Sequence, residues 1–339
     1  MPHFLLDNQR IEFRDGETVL QAAARHGVTI PHLCWKDGCD ARTSCMVCLV
    51  RRCDTGAFVP SCALPAAEGL AVESETPDVL AMRREAMELL LGDHLGDCEA
   101  PCRKAHPASL DIPAILRVVA TDELDLAATI LSNSAGALAT LDETKYEKAC
   151  RRARHDAPVN IAGILQFLAA KTGATESPAA VTPKTRLSTT IPISAIDLPT
   201  AVKATAADRP RNETIDSLDD AMAEAARCMH CDCRDAKDCS LRLWAEHLDA
   251  NPNARKAPHR QWQLVVGEHA VFEPGKCIQC GLCVEVANSH GKDLGPTWHG
   301  RGFDLSAAAP LGRNATDPFN DPALAAALIE ACPTGAIAK

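Results

Sequence analysis

The sequence predicts an α+β multidomain protein, and three observations carry that expectation. A hairpin pattern, a helix and a cysteine-rich loop follow one another at the N-terminus; the middle of the chain is helical by apolar period; a close cysteine triplet near the C-terminus is answered much later by Cys332-Pro333. Seventeen of the 339 residues are Cys, which fits two or three modules, each too small to dispense with metal or cross-link support.

Taken in order, residues 3–14, HFLLDNQRIEFR, read as two short strands around Asp7-Asn8-Gln9, and Gly16-Glu17-Thr18 then starts an amphipathic helix ending at Gly27. With the cysteine loop behind them, these elements suggest a small β-grasp module over 1–76. Residues 77–172 contain VLAMRREAMELLLGDH, IPAILRVVATDELDLAATILSN and VNIAGILQFLAAKTG, all with apolar residues at helical spacing, so the second module is α-helical. Thr, Ala and Pro without a sustained period mark 173–213 as linker. A helical lead and a dense cysteine quartet occupy 214–250, and a last module runs over 251–339.

Composition removes several function classes. An odd number of thiols cannot all pair as disulfides, and the start MPHFLLDNQR lacks the charged and apolar regions of a secretory signal, so a cytoplasmic chain with metal-binding cysteines is expected. No apolar run approaches the roughly 18 residues of a membrane span, so no direct membrane insertion is expected. A net charge of −10 and 4% aromatic residues give neither the basic footprint nor the stacking platform of a nucleic-acid binder. The fingerprints G-x-G-x-x-G and G-x-x-x-x-G-K-[ST] are absent from the sequence, so no flavin or NAD(P) site is expected on this chain.

The first candidate site lies within Cys34, Cys39, Cys45, Cys48, Cys53 and Cys62. Cys45-Met-Val-Cys48 supplies two thiolates from one tight turn, as an iron–sulfur cluster needs. Cys39 misses the plant-type [2Fe–2S] register by one residue, whereas Cys34, Cys45, Cys48 and Cys62 give C-x10-C-x2-C-x13-C; a zinc knuckle is the other use of such thiols. IPHLCW, TSCMVCLV and VPSCALP resemble the N-terminal [2Fe–2S] ferredoxin-like domain of the large iron–sulfur subunit of NADH dehydrogenase (complex I) and of related hydrogenase subunits. The resemblance implies Cys34, Cys45, Cys48 and Cys62 as ligands and leaves Cys39 and Cys53 as bystanders.

The second site is read by resemblance. His94-Leu-Gly-Asp-Cys98-Glu-Ala-Pro-Cys102-Arg-Lys-Ala-His106-Pro, then LDIPAIL, then KACRRARHDAPVNI with Cys150, are similar to the helical iron–sulfur domain of the glutamate synthase small subunit and dihydropyrimidine dehydrogenase. That domain ordinarily holds two [4Fe–4S] clusters. Here His106, Asp142 and Tyr146 stand where three of its cysteines would be, which implies one cluster lost and one kept on Cys98, Cys102 and Cys150. A His-x3-Cys pair also opens the histidine-ligated cluster of complex I, so His94 is taken as the fourth ligand, with His106 or another cysteine as alternatives.

Cys228, Cys231, Cys233 and Cys239 form the third set: four thiols within twelve residues that can enclose either a [4Fe–4S] cluster or a tetrahedral zinc, with His230 available to the latter. The fourth, Cys277-x2-Cys280-x2-Cys283 with Cys332-Pro333, is the bacterial ferredoxin run, reduced to one [4Fe–4S] cluster because position 287 is Ala and no second triplet precedes Cys332. GPTWHGRGFDL between the two parts resembles an insert of the complex I large subunit, and the last module is expected to be bacterial-ferredoxin-like.

One [2Fe–2S] and two to three [4Fe–4S] clusters in series imply an electron relay rather than a catalyst, since clusters perform one-electron chemistry. The order of segments also resembles large bacterial fusion proteins from which the flavin domain has been removed. The resemblance implies an electron-transfer subunit of a hetero-oligomeric oxidoreductase: a formate dehydrogenase, a hydrogenase or an NAD(P)H-linked complex. Its partners would be a flavin or NAD(P)H-type subunit and a catalytic subunit. A free-standing ferredoxin-like carrier and a zinc-stabilised scaffold are the competing readings.

Overall fold

The structure, a computed structural model, describes residues 1–134, 137, 145–173, 189, 191, 193–205, 208–235, 237–255, 262–290 and 295–339. Asp142 and, within 173–213, residues 174–188, 190, 192, 206 and 207 lie outside the described residues. The chain divides into two compact units, one of Met1–His94, Lys237–Arg260 and Val265–Lys339, the other of Leu95–Ala236 and Gln261–Leu264.

The first unit begins with the expected hairpin. Strands β1 (His3–Leu6) and β2 (Gln9–Glu12) pair antiparallel, with Leu6 opposite Gln9. Asp7 and Asn8 both take positive φ, 51° and 65°, the left-handed pair that lets a two-residue turn follow the twist of its strands. Period-two alternation then buries Phe4, Leu6 and Ile11 on one face. Helix α1 (Val19–Arg25) starts at a capping box, in which Thr18 accepts from the Gln21 N–H and the Gln21 side chain accepts from the Thr18 N–H. Gly27, at φ 76°, lets the chain leave it. Val19, Leu20, Ala22 and Ala23 join Phe4, Leu6, Val50 and Val72 in one core, each large side chain contributing about 1.5–3 kcal/mol by burial. Three further strands, β3 (Leu49–Arg52), β4 (Phe58–Pro60) and β5 (Ala71–Glu73), complete a sheet of order β2-β1-β5-β3-β4 in which β1 and β5 run parallel. This is the β-grasp arrangement.

Helix α2 (Pro77–Asp93) belongs to this unit, although its apolar period assigned it to the helical module. Periodicity shows that a helix has a buried face, not what covers it; here Arg83 on α2 is fully buried and its Nε donates to the Leu49 carbonyl at 2.9 Å. The rest of the unit is a small sheet of Val265–Val266, Val271–Phe272 and Ile337–Ala338, a ribbon of Thr297–His299 with Ser306–Ala308, and helices including Ser240–His247, Leu282–Ser289 and Pro322–Ala331. Asp321 caps the last of these by accepting from Leu324 N–H at 2.8 Å.

The second unit is helical among its described residues. Asp111 and Asn160 cap the helices Ile112–Val119 and Ile161–Thr172, whose Ile115, Leu116, Ile164, Leu165 and Leu168 form its core. Leu198–Thr205, within the stretch read as linker, is also helical, and its Ala201 and Val202 are buried with Met229. Ser217 and Asp220 make a second capping box at the helix Leu218–Ala225, in keeping with the carboxylates there serving a helix N-terminus.

Candidate metal centres

The grasp fold places four of the six N-terminal thiols. Antiparallel pairing of β3 with β4 sets Leu49 opposite Pro60, so Cys48 and Cys62 flank the same end of the ribbon. Ser61 fastens it there, donating to the Cys48 carbonyl from both N–H (3.0 Å) and Oγ (2.8 Å). Cys34 and Cys45 come from the loop between α1 and β3, where the Cys45 N–H donates to the Cys34 sulfur at 3.5 Å. All four are buried. The neighbouring Cys45 lowers the pKa of Cys34 to about 5, and Cys62 lowers that of Cys48 to about 7, in both cases against the burial that opposes ionisation. The same contacts raise Cys45 and Cys62. The site is therefore two thiol pairs, Cys34/Cys45 and Cys48/Cys62, the donor set that two irons bridged by sulfide require. Cys39 and Cys53 differ: Cys39 is half-buried, Cys53 exposed, and both are shifted upward, chiefly by desolvation.

Arg83 was not singled out from the sequence, where it is one of many helix arginines. It is fully buried, bonded to the residue after Cys48, with Glu75 at 3.5 Å as its ionic partner, and its Nη1 and Nη2 lack hydrogen bonds. A guanidinium so placed favours the more negative, reduced state of a nearby cluster. Arg83→Met is expected to lower the reduction potential of the [2Fe–2S] centre while leaving its iron content unchanged, as measured by EPR redox titration. An unchanged potential would mean that Glu75 already neutralises the charge.

In the C-terminal part of this unit, Cys277, Cys280, Cys283 and Cys332 line one pocket with Phe272, Ile278, Trp298, Ala307 and Ile337. Gln279, at φ 55°, turns the chain so that its N–H donates to the Cys277 sulfur at 3.3 Å. Cys332 follows the helix Pro322–Ala331, whose end brings it to the triplet from a distance in sequence. Burial foremost, then the neighbouring thiols, pushes Cys280 and Cys283 upward; binding metal there would release their protons. His94 ends α2, and its Nδ1 lies 3.0 Å from the Lys276 carbonyl. A carbonyl can only accept, so Nδ1 donates; the neutral ring in this posture is the tautomer of a histidine that ligates through Nε2.

In the second unit the thiols are grouped differently from the sequence-based sets. Cys102, Cys150, Cys228 and Cys231 line one space, with Ala100, Pro113 and Ile161 in its walls. Cys98 instead has its sulfur 3.4 Å from Thr189 Oγ1. His94 and Cys239 are part of the first unit, and Cys98 and Cys233 of the second. His106 stacks on Tyr146 with ring centroids 5.0 Å apart, and its Nδ1 accepts from the Ala108 N–H at 3.1 Å. Two positions at which the family resemblance implies lost thiolates are thus filled by paired rings. His230 is kept neutral by burial, its pKa lowered to about 4, and is not in the lining of the space. Among the described residues, no three His, Cys, Asp or Glu side chains converge on a point as a single metal ion would require.

Comparison with known proteins bears on the first centre. Residues 2–77 match the family described as 2Fe-2S iron-sulfur cluster binding domain. The match spans the segment that carries Cys34, Cys45, Cys48 and Cys62. The chain is similar to a subunit of the NADH-quinone oxidoreductase of Rickettsia bellii, 37% identical over 93 residues that make up 27% of this chain and 14% of that protein. The 75 kDa subunit of NADH-ubiquinone oxidoreductase from Reclinomonas americana is 33% identical over 98 residues, 29% of this chain and 14% of that protein. The chain thus spans about one seventh of these curated relatives. A solved structure described as NAD+-reducing [NiFe]-hydrogenase in the H2-reduced state aligns with 99% of this chain and 86% of its own at 20% identity and a TM-score of 0.45. No helix among the described residues is long and apolar enough to cross a membrane.

Proposed function

We propose that the chain is the iron–sulfur electron-transfer subunit of a larger oxidoreductase, passing single electrons between a flavin-type or other redox subunit and a catalytic subunit. Formate dehydrogenases, hydrogenases and NAD(P)H-linked complexes are the classes it would serve. The observation that carries the reading is the meeting of two thiol groups within one compact unit. Arg42, from the 2Fe-2S domain's cysteine loop, pairs with Glu285 at 2.9 Å and lies over the Trp298 ring at 5.7 Å. Trp298 is a wall of the Cys277/Cys280/Cys283/Cys332 pocket, and Glu285 stands two residues after Cys283. Gly281 permits this approach: a Cβ there would come within 2.8 Å of Arg42 Nε and 3.0 Å of Trp298. In this reading that pocket holds a ferredoxin-type [4Fe–4S] cluster on its four thiolates, and the second unit adds one or two more clusters. No residue of this chain is assigned a catalytic role.

The test is the anaerobically purified full chain. Brown colour, iron rather than zinc by elemental analysis, and at least two distinct EPR signals on reduction are expected, together with co-purification of a flavin-bearing partner from the source cells. A colourless, zinc-containing protein would eliminate the relay. Arg42→Ala is expected to slow electron equilibration between the 2Fe-2S centre and the Cys277 centre several-fold without loss of iron. The half-exposed ion pair contributes only about 1 kcal/mol, so docking loosens rather than fails. Rapid-freeze EPR after a reductant pulse measures this, and unaltered rates would show that electrons do not cross there.

A further inference from the structure

We propose that Cys102, Cys150, Cys228 and Cys231 together hold one [4Fe–4S] cluster, a ligand set that draws its two halves from segments separated by the whole linker. The inference rests on the reading of the chain as an iron–sulfur electron carrier and names the ligands of one of its centres.

Four observations converge on this grouping. Cys102 on the short helix Pro101–Ala105, Cys150 after the turn Lys145–Lys148, and Cys228 and Cys231 after the helix Leu218–Ala225 all line a single space. Cys228 is part of the unit's main core, and Cys102 and Cys150 pack against that core. Val159 and Ile161 close that space with apolar walls, so the four thiols face one another rather than solvent. The Cys228-Met229-His230-Cys231 turn also has the geometry of Cys277-Ile278-Gln279-Cys280. His230 and Gln279 both take positive φ, 46° and 55°, and each donates its N–H to the first sulfur of its pair, at 3.4 and 3.3 Å. Two turns with one shape thus present two sulfurs each in the same posture.

Electrostatics fit the group as well as geometry does. A cluster on four thiolates is a buried polyanion and needs a compensating cation. Arg151, next to Cys150 and in the lining of the same space, supplies one, and is held in place by buried Asp97 and by the Ile191 carbonyl at 3.0 Å. Asp97 in turn accepts from the Ile191 N–H at 2.8 Å. Arg151 is therefore a positioning and potential-setting residue rather than a ligand, because a fixed cation beside the thiolates stabilises negative charge there. Cys98, bonded to Thr189, stands outside the set.

The experiment is a double-mutant cycle on the full chain, purified anaerobically, with iron content and EPR of the reduced protein as readouts. Cys102→Ala and Cys228→Ala are each expected to lose the same signal and about four irons, and the double variant is expected to lose no more than either alone. Cys98→Ala is expected to leave that signal intact. Loss of two different signals, with the double variant losing the sum, overturns the grouping and restores the separate sets centred on Cys98/Cys102/Cys150 and Cys228/Cys231/Cys233/Cys239. Where the alanine variants do not fold, Cys102→Ser and Cys228→Ser retain a ligating oxygen; both are expected to shift the potential of one and the same signal, and shifts in two signals overturn the proposal. Wild-type protein without iron fails the relay reading itself, an outcome distinct from all of these.

Discussion

Cys48→Ala is expected to abolish the 2Fe-2S signal of the reduced protein and to remove about two irons per chain, while Cys39→Ala and Cys53→Ala leave both unchanged. The expectation follows from pairing rather than from spacing alone. Cys48 and Cys62 flank the same end of the β3–β4 ribbon, on either side of Ser61, and Cys34 receives the N–H of Cys45. Removing one thiolate leaves an iron with three sulfur donors in a buried site where no other cysteine is poised. Cys53 follows β3 and is exposed, its N–H spent on the Ala71 carbonyl at 2.9 Å. Cys39 is half-buried and stands outside the Cys34/Cys45 and Cys48/Cys62 pairs. EPR at the temperature of the 2Fe-2S signal, with iron determined in parallel, measures the outcome. Loss of the signal in Cys39→Ala alone would transfer the site to the plant-type register.

What the sequence revealed and what it concealed divide along the length scale of the signals. The hairpin around Asp7-Asn8 and the helix opening at Thr18 are written in two- to four-residue patterns whose physics is local, and the structure places strands and helix there. Helix α2 was legible as a helix but not as part of the first unit, because an apolar stripe does not name its partner. The same holds for cysteines. A C-x-x-C turn declares two ligands, and the other two can come from anywhere that the fold brings near. Cys332 could be matched to Cys277, Cys280 and Cys283 because a known run joins them. Cys228 and Cys231 stand close to Cys233 and Cys239, so proximity in sequence suggests a self-contained quartet, while in the structure the first two also line one space with Cys102 and Cys150, a juxtaposition that no sequence spacing announces. Buried arginines left no signal at all: Arg83, Arg152 and Arg227 look in sequence like solvated charges and are among the most buried side chains of the molecule, and Arg151 is buried as well.

Glu224→Ala is expected to destabilise the second unit by about 3–5 kcal/mol, the cost of breaking a buried ion pair from one side. Glu224 is fully buried, and its two oxygens tie three segments together: Oε1 accepts from the Asn160 N–H (2.8 Å) and from Arg227 Nη1 (2.7 Å), and Oε2 accepts from the Asn212 N–H (2.8 Å). Its removal strands two backbone donors and the charge of Arg227, which is 1% exposed. Arg227 keeps the carbonyls of Ala157 and Arg209 and the carboxylate of Asp156, which Arg152 and Arg227 hold well below the usual range against the opposing effect of burial. The charge is therefore redistributed rather than released, and the unit remains foldable. Glu224→Gln retains shape and one acceptor and is expected to cost less, about 1–3 kcal/mol. For a unit of this size, the alanine variant corresponds to a fall of roughly 10 °C in the unfolding midpoint, measured anaerobically by circular dichroism. Because Arg227 immediately precedes Cys228 and its carbonyl accepts from Arg152 at 2.7 Å, the strand that presents Cys228 loosens with it. The signal assigned to the Cys102/Cys150/Cys228/Cys231 centre should therefore become labile on heating before the 2Fe-2S signal does. Equal thermal loss of the two signals would show that the arginine–glutamate network stabilises the unit without positioning its cluster.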